Sequence, residues 1–563
     1  MFSGSSGITA SPLSPSLSVS DHFRTHSRGL TTYVATPQTC LIYFLPSIAL
    51  IFPKESSRAY RVMLSNFGGT LPSMFITQKR PHTTANSVTS IDILDDDSLI
   101  NIFRLYRPDL LDEEETNDVR ILQGGEWRRE CWWYKLVHVC RRWRSLILAS
   151  ASHLGLSLLC TRRTPVADML AHSPPLPLVI DYADKKRNFT PLEEEGIKLA
   201  LRHHDRVRRI RFAMVVPCLR ALFSAIDKEF PTLEYLYIDP LTYSDKGLIL
   251  PETFRAPNLR HLVLLNFALP VGSSLLATAT GLVTFSLNFI PPSVSWHPPD
   301  CLNRVSSMPD LQTLGISFYS IVSNHDLGRR VVNTPNVAHV VLPNLRWLGF
   351  QGGSAYMEAL LPHMTTPRLE KLQLYLFNEL ISIRNLQQFI SSAENLRFTS
   401  VSLRFGRMGF ALQAYPRKGS AMYAASTVVY RIGHDWPLST TTQMLGVLGP
   451  ALPMVMHLSV GICDKGHMLW SGIPRYNDAD RAEWRDILRS FNNVKTLRVT
   501  DGFIGDISRA LKVRDGESTM ELLPELKELI CSARVDPDDL FDSFATFIYA
   551  RQQAGHPVAL ISR

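Results

Sequence analysis

The stretch "PNLRHLVL", Pro257–Leu264, decides how this chain is read, because its pattern recurs. A proline precedes an apolar residue, Leu259. A second apolar residue follows three positions later, Leu262, and a third two after that, Leu264. The same phrase is spelled "PTLEYLYI" (Leu233, Leu236, Ile238), "PDLQTLGI" (Leu311, Leu314, Ile316), "PNLRWLGF" (Leu345, Leu348, Phe350) and "PRLEKLQL" (Leu369, Leu372, Leu374). Late copies are "NNVKTLRV" (Val494, Leu497, Val499) and "PELKELIC" (Leu526, Leu529). Looser ones run Val207-Ile210-Phe212, Leu282-Phe285-Leu287 and Val455-Leu458-Val460. The last two apolar residues of each phrase stand two apart, which puts them on one face of a short strand. The first turns in from the preceding loop. Many of the anchors recur at about 24 to 34 residues, the period of stacked strand-and-helix units with insertions. One unit cannot bury its own apolar face, so the units should stack as a parallel sheet with helices behind it. "CLRALFSAIDKEF" (Cys218–Phe230), "SAYMEALLPHM" (Ser354–Met364) and "IRNLQQFISSAENL" (Ile383–Leu396) are candidate helices.

The composition suits a folded α/β chain. Of 563 residues, 45% are hydrophobic and 20% charged, enough for a large core and more than one domain. The net charge of +8 is mild over this length. Basic residues gather at Lys185–Arg187 and in "LRHHDRVRRIRF", Leu201–Phe212, without aromatic interleaving or a helix-turn-helix signature, so no nucleic-acid partner is expected. Eight cysteines (Cys40, Cys131, Cys140, Cys160, Cys218, Cys301, Cys463, Cys531) form no CxxC pair, which suits reduced thiols in the cytoplasm or nucleus. The sequon Asn188-Phe189-Thr190 is then irrelevant. The apolar run Cys40–Phe52 is short and interrupted by Pro46, so no membrane span is expected.

Residues 1–88 are rich in Ser, Thr and Pro and read as disordered. Met63 or Met74 is an alternative start. Residues 89–160 differ. "SIDILDDDSLINIFRLYRPDL" carries an apolar stripe at Leu94, Leu99, Ile102, Phe103 and Tyr106. Asp95, Asp96 and Asp97 sit where carboxylates cap a first helical turn, and Pro108 stops the helix. An acidic loop follows from Asp109 to about Glu126. "LVHVCRRWRSLILAS", Leu136–Ser150, then spaces Leu136, Val137, Cys140, Trp143, Leu146 and Ile147 three or four apart, predicting one amphipathic helix with a basic outer face.

Catalytic grammar is missing. There is no GxGxxG, GxxxxGK[ST], HExxH or GxSxG. His203-His204-Asp205 diverge along the backbone and make poor joint metal ligands. On the apolar face, Cys140 reads as a small packed hydrophobe rather than a nucleophile. The chain is therefore read as non-catalytic, with no cofactor and no metal.

The order of parts resembles a known family. "ILDDDSLINIF" followed by "WWYKLVHVCRRWRSLILAS" resembles the F-box-like domains of mushroom-forming fungi, and the later repeats are similar to the divergent leucine-rich repeats that often follow them. Leu94 matches the family's leucine, Ile102 and Phe103 its Ile-Phe pair, and Val139 to Arg144 its second helix. Asp95 stands where the family has proline. The resemblance implies an all-α F-box domain over 89–160 and a substrate-binding leucine-rich-repeat domain over 161–563. It implies a substrate receptor of an SCF-type ubiquitin ligase, docking on the Skp adaptor and through it on cullin. The implied adaptor-binding residues are Leu94, Leu99, Ile102, Phe103, Val137, Cys140 and Trp143. Trp143 and Cys140 would pack internally, and Leu94, Ile102 and Phe103 would be exposed to the adaptor. The alternative is a repeat scaffold with a degenerate F-box and no ubiquitin transfer.

Overall fold

A computed structural model of the chain describes residues 94–107 and 132–562, apart from 163, 184–189, 243–245, 292, 295, 319–337, 378–383, 407–408, 417–424, 431–440, 443–444, 447, 463–477, 514–515, 517, 519 and 533–536. Every described residue lies in the unit Ser73–Arg563. The segment 1–88, the apolar run 40–52, the loop 109–126 and the basic triplet 185–187 fall outside the described residues.

The chain is mixed α/β around one large sheet. Its strands are β1 (Leu158–Thr161), β2 (Leu178–Tyr182), β3 (Val207–Met214), β4 (Tyr235–Pro240), β5 (His261–Leu265), β6 (Thr284–Ile290) and β7 (Thr313–Phe318). The two-residue β8 (Val340–Val341) and β10 (Met364–Thr365) pair apart from the sheet. β9 (Trp347–Gly353), β11 (Lys371–Phe377), β12 (Ser400–Gly406), β13 (Gly409–Tyr415) and β14 (Ala425–Tyr430) follow. The last four are β15 (His457–Ile462), β16 (Thr496–Thr500), β17 (Glu528–Ser532) and β18 (Ala559–Ser562). Sixteen of these strands form a single sheet.

Each recurring phrase supplies a strand, and equivalent residues stand opposite each other. Leu236 pairs with Leu262, Leu262 with Phe285, Phe285 with Leu314, Leu314 with Leu348, and Leu348 with Leu372. A second ladder two residues on runs Phe212, Ile238, Leu264, Leu287, Ile316, Phe350, Leu374. All of these are buried, as are the leading anchors Leu233, Leu259, Leu311, Leu345 and Leu369. Each leucine so buried contributes roughly 1.5–3 kcal/mol. The helices bury their apolar stripes in the same core. The three candidates fold as helices at Val216–Ile226, Ser354–Leu360 (with a 3-10 turn Leu361–His363) and Arg384–Ser392.

The phrase also carries a polar device. Asn258 Nδ2 donates to the carbonyl of Pro231 at 2.7 Å, so a side chain of one phrase satisfies the backbone of the one before. Asn344 does the same to Pro309 at 3.2 Å, Asn395 to Pro367 at 3.2 Å and Asn493 to Pro453 at 2.7 Å.

The sheet departs from the expected uniform stack in one place. From β11 its order runs β14, β13, β12, β15, so the chain steps over two positions and returns. β13 is antiparallel to both neighbours, while β11–β14 and β12–β15 pair in parallel. Gly406 and Gly409 stand opposite each other where β12 and β13 pair.

Candidate partner-binding surface

Helix α1 (Asp96–Tyr106) starts where the carboxylates predict. Asp95 is the N-cap, and its carboxylate accepts from Ser98 N at 2.6 Å. That hydrogen bond holds the carboxyl below its ordinary pKa, with a smaller contribution from Arg142. Proline could not supply this acceptor, so Asp95 does capping work that a proline there could not. The helix ends at Tyr106, and Arg107 is extended, as the residue before Pro108 must be.

The second element corrects the sequence reading. Leu136–Ser150 is not one helix. Leu136–His138 is a 3-10 turn, and helix α2 (Arg141–Ala149) begins afresh. Cys140 lies between them with φ −155° and ψ 171°, as the N-cap of α2, and its sulfur accepts from Trp143 N at 3.4 Å. Cys140 is exposed, not packed on an apolar face. The run Val137-His138-Val139-Cys140 has low helix propensity throughout, which favours the break.

Arg142 ties the two helices together. It pairs with Asp96 at 2.8 Å and donates to the carbonyl of Leu94 at 2.6 Å. Phe103 meets Trp143 edge to face, with ring centroids 4.9 Å apart.

The implied site residues split between two faces. Leu99 (0% exposed), Phe103 (1%) and Val137 are sealed inside, and Leu94 and Trp143 are half-buried against the same core. Phe103 and Leu94 are therefore not the open residues expected, because the chain's own core takes them. Ile102 is 41% exposed. Beside it stand Leu105 (86%) and Tyr106 (52%), three and four residues on and so on the same side of α1. Val139, just before the Cys140 cap, is also open at 44%. Leu105 was not legible as a site residue because it falls off the apolar stripe; that displacement was itself the signal.

The other face of the sheet carries a cluster of polar and aromatic side chains, several of them buried. On the face opposite the ladders, Arg209 lies over the ring of Tyr235 at 4.8 Å and Arg211 over Tyr237 at 5.6 Å. Arg211 also pairs with Asp181 at 3.6 Å, and burial pushes the Asp181 carboxyl up against that attraction. His261 Nδ1 and the Thr284 hydroxyl are 3.1 Å apart, and burial, then Arg209, lowers the His261 pKa. Gly315 and Gly349 are paired on this face, and a Cβ on Gly349 would sit inside the indole of Trp347.

Much of the basic run Leu201–Phe212 is paired within the fold, though Arg202 stands exposed. Arg206 donates to the carbonyl of Leu176 at 2.8 Å, Arg208 pairs with Glu234 at 2.7 Å, and His203 caps the helix Pro191–Arg202. Cys160, Cys301 and Cys531 are buried free thiols, with Cys160 and Cys301 pushed up to about 12 by burial. Among the described residues no His, Cys, Asp or Glu cluster could hold a metal, and no helix is long and apolar enough to cross a membrane.

Fold and surface together define a mixed α/β protein in which a two-helix element stands at the start of a sheet of repeated strands. No protein-family model matches the chain, and no curated protein matches it.

Proposed function

We propose that the chain is the substrate-recognition subunit of an SCF-type ubiquitin ligase. It binds the Skp adaptor through α1 and the segment before α2, and a protein substrate through the repeats. It works without catalytic residues of its own, in the cytoplasm or nucleus. The observation that carries this reading is the open apolar side of α1, where Ile102, Leu105 and Tyr106 stand in water. Such a patch is costly unless a partner covers it. A few aliphatic and aromatic anchors of this kind dominate most protein interfaces. The test is co-purification with the Skp adaptor and cullin. Wild type should retain both, and Ile102→Ala with Leu105→Ala should weaken adaptor binding at least tenfold. Undiminished binding by the double variant removes this surface from the reading.

The second reading is a scaffold without ubiquitin transfer. It is favoured by the sealing of Leu99 and Phe103 and by Asp95 in the proline position. Capture of the adaptor without cullin would select it.

A further inference from the structure

We infer that the two-helix element is the N-terminal cap of the sheet, so that the segment read as a separate docking domain is a structural part of the repeats. Stacked repeats touch only their neighbours, and the first unit leaves a raw end that must be covered. Strand β1 is that end: it stands first in the sheet and, among the described strands, pairs with β2 alone. Yet Leu158, Leu159 and Cys160 are all buried, although successive residues of a strand point to opposite faces. At the other end, β18 exposes Ala559 and Ser562 and only half-buries Leu560 and Ile561.

The covering is supplied by residues 94–107 and 132–156. Leu99, Phe103, Trp132, Trp133, Leu136 and Ile147 belong to the same continuous buried cluster as Leu156, Leu158, Cys160 and Leu178. Trp133 Nε1 donates to the carbonyl of Ser157 at 3.3 Å, immediately before β1. The turn that leads from α2 into β1 contains Gly155 at φ +60°, and the guanidinium of Arg107, just past α1, lies against it. Arg104 and His153 make a further contact at 3.5 Å. Helix α1 is thus divided lengthwise. Its Leu99–Phe103 side closes the sheet, and its Ile102–Leu105 side remains for a partner.

The cap itself stands apart from the proposed function, and one experiment on the full-length chain separates them. Amide hydrogen exchange is followed in Leu99→Ala, in the milder Phe103→Leu and in Leu105→Asp, with adaptor binding measured on each. A cap predicts that Leu99→Ala speeds exchange in β1 and β2 by roughly 100-fold or more, with the effect fading toward β7. Phe103→Leu should give the same gradient at smaller amplitude should Leu99→Ala fail to fold. Leu105→Asp should leave exchange unchanged. Unaltered protection of β1 and β2 in a folded inner-side variant would overturn the cap. Adaptor binding that survives Leu105→Asp would overturn the docking side of α1 and leave the cap standing.

Discussion

At the scale of single residues, Asp95 shows how one side chain can start a helix. It holds the first turn of α1 through Ser98, and that bond depresses its pKa. The stabilisation is therefore present above the ordinary carboxylate value of 3.8 and is lost as the pH falls through the lower folded value. Asp95→Ala should lower Tm at neutral pH, and its deficit against wild type should shrink in acid. Asp95→Asn, an equally good cap, should keep Tm near wild type at neutral pH. Thermal melts of the three proteins across that range check this, and a deficit independent of pH would contradict it. The carboxylates were readable as a cap because capping is local in sequence. Which of them is the cap was not, nor was the break at Cys140, since both depend on how the chain enters its helix.

At the scale of elements, the repeated phrase works through two bonds at once: an apolar ladder inside and an asparagine rung at the turn. The apolar positions were legible because a spacing of two places residues on one strand face whatever surrounds them. The rungs were not read, although asparagine stands after the proline in two of the phrases and directly before the anchor Val494 in a late copy. Their acceptor lies one whole repeat earlier. Asn258→Ala should cost about 1 kcal/mol, the net worth of one such hydrogen bond, measured by denaturant unfolding. Leucine in the same place should cost no less, because the Pro231 carbonyl loses its partner either way.

At the scale of the whole molecule, the sheet consists of two parallel runs joined through the antiparallel strand β13. Leu412, buried in that strand, is opposed by Leu403 on one side and Thr427 on the other. Proline there removes a ladder donor from a central strand. Leu412→Pro should strip exchange protection from β12, β13 and β14 while β2 to β7 keep theirs, as nearest-neighbour stacking requires. Uniform loss across the sheet would show a single cooperative unit instead.

The sequence by itself determined the strands of the recurring phrases, their inward faces and the ends of α1, because each is set by neighbours within a few residues. It did not determine which side of α1 the core would claim, that the strand order would reverse after β11, or that the basic run of β3 would be consumed by Glu234, Asp181 and two tyrosines. Those outcomes depend on which surfaces meet after the chain has turned back on itself. The meeting partners lie tens of residues away, where local spacing carries no information about them.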